Sequence, residues 1–187
     1  MKISKLSIIL SVIFLTILLH VTWTIKEFNN IENKLTPANK LENAALSSNS
    51  PPSLHTYYLI EKFSKVYHVP KHIAYNIAFK ETNYKGPFDW DYNPFLTSSG
   101  GAVGAMQIKP ATANYINDTV VKRSILKNNL EYNILTSMKL LSFLYKQYKD
   151  WSVVCGCYNT GSPIVNEYAR FCSTNKNYQK RWVNYEN

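Results

Sequence analysis

Acidic side chains are scarce in this chain: 12 Asp and Glu stand against 21 Lys and Arg among 187 residues. Few carboxyls are therefore available for acid–base chemistry, and one at an unusual position is informative. Cysteine is limited to three residues, which excludes complete pairing within the chain. These cysteines also lack a suitable His spacing, so no metal is expected. No stretch alternates convincingly at period two, which leaves little room for a β-sheet. No run of Lys or Arg is regularly interleaved with aromatics, so the net charge of +9 does not read as a nucleic-acid surface. The Gly-rich stretch Gly100-Gly101-Ala102-Val103-Gly104 carries no phosphate-loop lysine pattern, and no cofactor is expected. The positive field still favours anionic partners such as anionic lipid or an acidic wall polymer.

One long apolar run is present. Leu6 to Ile25 extends for about 20 residues, the length that crosses a hydrocarbon core of ~30 Å as a helix. Lys2 and Lys5 precede it, which keeps the N-terminus cytoplasmic, and Trp23 suits an interfacial position. Residues 1–28 read as a single-pass transmembrane signal anchor in the inner membrane. The alternative is a cleaved signal peptide, for which the small-x-small pair is missing after Leu19. Either way the remainder is exported, to the periplasm or outside the cell. Residues 29–53, rich in Asn and Ser and ending Ser50-Pro51-Pro52-Ser53, read as a flexible linker. Residues 54–187 read as the globular domain.

That domain is expected to be all-α or nearly so. Leu59, Ile60, Phe63, Val66 and Tyr67 recur at three and four, and Val69-Pro70 interrupts them. Pro70 can open a second helix, in which Ile73, Ala74, Ile77 and Ala78 share one face. Lys85 to Ser99 reads as a loop, and Met106 to about Ile116 as a short helix. Asn133 to Tyr148 carries a strong stripe of Ile134, Met138, Leu141, Leu144, Tyr145 and Tyr148. An apolar segment from Val153 to about Tyr158 ends at Gly161-Ser162-Pro163, and the tail has room for one further helix.

Glu81 follows Ile77 by four and Ala78 by three, so it continues the apolar face of the second helix. A carboxyl there is costly unless it is neutral or well partnered. Acid catalysis is one use for a carboxyl held neutral. Downstream, Gly101 and Gly104 let backbone approach a ligand closely, and Gln107 can pair with a polar substrate or cap and pack.

Together these residues resemble the lytic transglycosylase family with the lysozyme-like SLT domain. The resemblance rests on Glu81-Thr82-Asn83-Tyr84, then Asn93-Pro94 with Ser98 and Gly101-Ala102-Val103-Gly104-Ala105-Met106-Gln107-Ile108, then Pro110-Ala111-Thr112, then Cys157-Tyr158-Asn159-Thr160-Gly161. It covers about Leu54 to Tyr168. The family pattern runs Glu-Ser, then Ser-x-x-Gly-Ala-x-Gly-Leu-Met-Gln, then Ala-Tyr-Asn-Ala-Gly. Here Thr82 replaces Ser, Ala105 replaces Leu, Lys109 stands where Met or Leu is usual, and Cys155-Gly156-Cys157 precedes Tyr158. The stretch from Glu81 to Gln107 is also longer than usual, near Lys85 to Tyr92.

The resemblance implies that Glu81 protonates the bond between MurNAc and GlcNAc in peptidoglycan. As carboxylate it then takes the proton of the MurNAc C6 hydroxyl, which closes a 1,6-anhydro ring. Ser98 would bond near the reacting sugar, and Met106 and Gln107 would line the cleft. Tyr158 would place its hydroxyl near Glu81, and Asn159 would contact sugar or fix its loop. A hydrolytic muramidase is the alternative, for which Asp89 and Asp91 are the nearby candidates to activate water. A non-catalytic wall-binding module is another. Cys155 and Cys157 point to different sides of a helix, and either could pair with Cys172 in an oxidising compartment. Expected partners are glycan strands, the membrane, and an envelope-spanning secretion or conjugation machine for which the wall is opened locally; general wall turnover is the alternative.

Overall fold

Pro51 and Pro52 set the start of the first described helix. Proline is suited to a first helical turn, because the amide it lacks would have no partner there. The computed structural model describes residues 50–183. The segment read as a membrane anchor, and the linker up to residue 49, lie outside the described residues. No helix among the described residues is long and apolar enough to cross a membrane.

The described residues form an all-α domain. Helix α1 spans Pro52–Tyr67 and α2 spans Lys71–Thr82; then follow α3 (Pro110–Asn117), α4 (Arg123–Asn128), α5 (Leu130–Tyr148), α6 (Trp151–Thr160) and α7 (Glu167–Thr174). A 3-10 turn at Tyr178–Arg181 closes the order. Pro52 and Ser53, placed in the linker by composition, already belong to α1. The Ser53 side chain is fully buried and its hydroxyl donates to the Pro87 carbonyl at 3.0 Å.

Local chemistry accounts for most boundaries. Asn129, Asp150 and Asn166 cap α5, α6 and α7, their side chains accepting from the amides of Tyr132, Ser152 and Ala169. The α2 helix ends at Asn83 in the left-handed conformation, and α6 ends likewise at Gly161. The expected helix from Met106 instead starts at Pro110. Residues 103–108 are a turn, in which Val103 makes isolated antiparallel bridges to Thr97 and Ile108. The proline therefore starts the helix rather than standing inside it. The tail holds α7 and the 3-10 turn, and the short α4 has too few residues for a periodic signal.

Helix α5 is the centre of the bundle. It packs on α1, α3, α4 and α6, and its Ile134, Met138 and Leu141 are fully buried. Ile73, Ala74, Ile77 and Ala78 of α2 are also fully buried, so the face that carries Glu81 is the core face. Helix α7 packs on both α2 and α6. The C-terminal turn locks onto the same core. Tyr178 stacks on Tyr75 at 4.7 Å between ring centroids, and Arg181 donates to the Asn76 side chain at 2.6 Å.

Candidate active site

Glu81 stands in the last turn of α2, at the rim of the core. Its flanks place it on a cleft of about 440 Å³. The adjoining Thr82 fixes the end of that helix: its hydroxyl lies 2.8 Å from the Ala105 carbonyl and 3.0 Å from the Tyr92 hydroxyl. The helix that carries the carboxyl is thereby tied directly to the Gly turn.

Two other helices grip the same turn. The buried Asn133 of α5 accepts the Met106 amide at 2.9 Å and donates to the carbonyls of Val103 at 2.9 Å and Leu126 at 3.0 Å. Tyr158 of α6 donates its hydroxyl to the Met106 carbonyl at 2.6 Å. Gly104 has φ of +84°, and a Cβ built there would fall 2.1 Å from the Asn133 amide nitrogen. The glycine is thus required by a side chain of the protein, whereas its sequence context suggested room for a ligand. Gln107 follows with φ of +49°, unusual for a residue with a side chain. Its amide nitrogen donates to the Gly104 carbonyl at 2.9 Å, which braces the turn from the cleft side.

Glu81, Ser98, Gln107, Tyr158 and Asn159 all line the cleft. Ser98 accepts the Ala102 amide at 3.0 Å, so it also closes its own turn. Asn159 accepts from the Asn166 side chain at 2.9 Å, which links α6 to the start of α7. Met106 departs from expectation. It is fully buried and is not among the residues that line the cleft, because the left-handed turn at Gln107 sends neighbouring side chains in different directions. The Tyr158 hydroxyl bonds to the turn, and it lies near enough to Glu81 for that carboxylate's charge to raise its pKa further after burial.

The hydroxyl on Glu81 comes instead from Tyr168 of α7, which donates to Oε1 at 2.6 Å. Sequence reading missed this partner. Its one signal is the Asn166 cap followed by Tyr168, Ala169 and Cys172 at helical spacing, which locates a helix but not what the tyrosine meets. Burial pushes the Glu81 carboxyl above the ordinary carboxylate range; the Tyr168 hydrogen bond and the nearby Lys80 partly offset it. Burial likewise raises Tyr168, with the Glu81 charge adding to it, so the phenol stays a donor.

Among the described residues, Glu81 is the one carboxylate that lines the cleft. Asp89 and Asp91 border a separate pocket of about 250 Å³ with Thr82, Asn83 and Lys85. No group of three or more His, Cys, Asp or Glu among the described residues could hold a metal ion. The three cysteines are free thiols in this structure, and of the two pairings left open, with Cys155 or with Cys157, Cys172 has only Cys155 against it. Cys172 faces Cys155, whereas Cys157 faces the Tyr148 hydroxyl on the cleft side. Residues two apart on α6 point to different sides, and α7 packs on the side of Cys155.

A scan against protein-family models matches the transglycosylase SLT domain over residues 58–181, more than half of the chain. No curated protein and no solved structure matches the sequence. The matched span contains α2 with its carboxyl, the Gly turn and the α6–α7 pair, and the chain belongs to the SLT domain family, lysozyme-like lytic transglycosylases that act on peptidoglycan.

Proposed function

We propose that the domain cleaves the β-1,4 bond between MurNAc and GlcNAc without water, leaving 1,6-anhydro-MurNAc ends. The observation that carries this reading is a single raised-pKa carboxyl in a cleft that no other described carboxylate lines. Most glycosidases use two carboxylates, the second serving as nucleophile or as base for water. With one carboxyl, acid and base duties fall to the same group in turn.

The sequence of events balances on that group. Protonated Glu81 gives its proton to the glycosidic oxygen, and the bond from C1 to that oxygen breaks. The carboxylate left behind is stabilised by the Tyr168 hydroxyl, a hydrogen bond that strengthens as charge develops. Glu81 then takes the proton of the C6 hydroxyl as that oxygen bonds to C1, which closes the second ring and restores the acid. Intramolecular attack has a high effective molarity, so no activated water is needed. Asp89 and Asp91, the carboxylates a muramidase could use on water, border the other pocket.

The test is digestion of purified peptidoglycan by the domain lacking residues 1–28, followed by mass spectrometry of the fragments. Anhydro ends and reducing ends differ by one water. Anhydro ends are expected, and reducing ends alone would replace the reading with hydrolysis.

The same proposal extends to location. Residues 1–28 anchor the chain in the inner membrane, with the domain on the outer side, where it opens the wall locally for a secretion or conjugation machine. The apolar run after Lys2 and Lys5 supports the anchor. Fractionation checks it: the full chain should sediment with membranes, and the chain lacking residues 1–28 should not. A deletion strain with normal secretion and transfer but altered wall fragments would favour general turnover.

A further inference from the structure

The cleft wall built by α3 and α5 carries aromatic surface that the acid–base chemistry does not use. Tyr115 is 70% exposed and Phe143 is 39% exposed. Their rings meet edge to face, 5.8 Å between centroids at 79°. Both line the same cleft as Glu81, with Leu140 and Leu144 beside them. Helix geometry explains why they face outward. Tyr115 lies two residues after Ala113, and Phe143 two after Leu141; both of those residues are fully buried, so the rings turn away from the core.

Singly exposed apolar residues are ordinary, but two rings held against each other and continuous with a cleft mark a contact surface. The edge-to-face contact favours this arrangement of the rings before anything binds. The groups around the acid belong to other elements: Glu81 to α2, Tyr158 and Asn159 to α6, Tyr168 to α7. The platform thus stands on a wall separate from the proton donor. A β-1,4 glycan presents apolar C–H faces on its pyranose rings, and an aromatic pair beside a glycan cleft suits such a face.

We propose that Tyr115 and Phe143 form a stacking platform for a sugar ring of the glycan strand outside the pair that flanks the cleaved bond. This rests on the glycan-cleaving reading above. A platform so placed makes the enzyme favour long strands: a strand that extends past the two sugars at the cleaved bond gains contact area that a disaccharide does not.

The test uses the full-length chain in detergent and peptidoglycan glycan oligomers of two to eight sugars. Binding is measured by calorimetry in the Glu81→Gln background and cleavage with Glu81 present. In the Tyr115→Ala/Phe143→Ala variant, affinity for the longest strands should fall about tenfold, with the disaccharide unaffected; tenfold corresponds to about 1.4 kcal/mol. KM for polymer should rise by a similar factor while kcat holds. Tyr115→Phe, which keeps the ring, should behave as the parent. Both positions lie at the surface, so the melting temperature should fall by only a few degrees, the worth of the lost ring pair. Equal behaviour of variant and parent on every length overturns the platform and leaves the proposed reaction standing. Equal weakening at all lengths also overturns it. Failure of the parent to bind or cleave any glycan overturns the reaction and the platform together.

Discussion

A carboxyl raised by burial ionises in the folded protein above the pH at which it ionises when unfolded. Glu81 is such a group, so its contribution to stability is full below the unfolded pKa and is lost as pH rises through the folded value. Glu81→Gln removes that loss. The variant should melt higher than the parent at pH 7, with the difference vanishing towards pH 4, as thermal unfolding across pH would show. Its cleavage of peptidoglycan should fall by about 10³-fold or more, since the proposed proton transfers of both half-reactions are lost. Tyr168 supplies a second residue-scale prediction. Its hydrogen bond lowers the Glu81 pKa against the effect of burial, so Tyr168→Phe raises that pKa. The proposed reaction requires the protonated acid, and the high-pH limb of kcat/KM should therefore move to higher pH. The maximum should fall about tenfold, the worth of one hydrogen bond to a charged group. An unmoved limb in a pH–rate profile would separate Tyr168 from the acid.

At the scale of elements, the site depends on a turn that three helices hold. Thr82 from α2, Asn133 from α5 and Tyr158 from α6 each bond to the backbone of residues 103–106. Asn133→Ala leaves the Met106 amide unpaired and takes one donor each from the Leu126 carbonyl and from the Val103 carbonyl, which keeps the Ile108 amide, at a cost of about 2–4 kcal/mol in urea unfolding. Gly104→Ala should cost at least as much, because its backbone is left-handed and the Asn133 amide occupies the Cβ position. The two should not add. With Asn133 truncated, the alanine at 104 meets less obstruction, and a double-mutant cycle should show the second change costing less. The spacing of Gly101, Gly104 and Gln107 was legible in the sequence. What demands the glycine was not, since Asn133 is 29 positions away and nothing local connects them.

At the scale of the whole molecule, the C-terminal turn closes the core from outside. Trp182 meets Tyr57 and Tyr75 edge to face at 5.7 Å each, and its side chain fills the space where Gly86 has none. The Val183 amide donates to the Lys85 carbonyl at 2.9 Å, which fastens the turn to the loop after α2. Trp182→Ala should therefore destabilise the domain by about 2–4 kcal/mol, read as a lower urea midpoint. Because the loop it steadies begins just past Asn83, kcat/KM should also decline, by less than for any change at Glu81.

The sequence by itself determined the helical class, the positions of the long helices and the carboxyl that continues the buried face of α2. Helical period, proline and asparagine caps are local features, and a charge on an apolar face is visible wherever the face is. Tertiary structure decided what each local feature meets. It made Tyr168 the hydrogen-bond donor to Glu81 and left Tyr158 nearby on the turn; it turned Met106 inward; it set Cys172 against Cys155. Each choice depends on the rotation and docking of α6 and α7 against α2. A helix's own periodicity names the face it buries, but the partner on the far side of that face is fixed only when the helices pack.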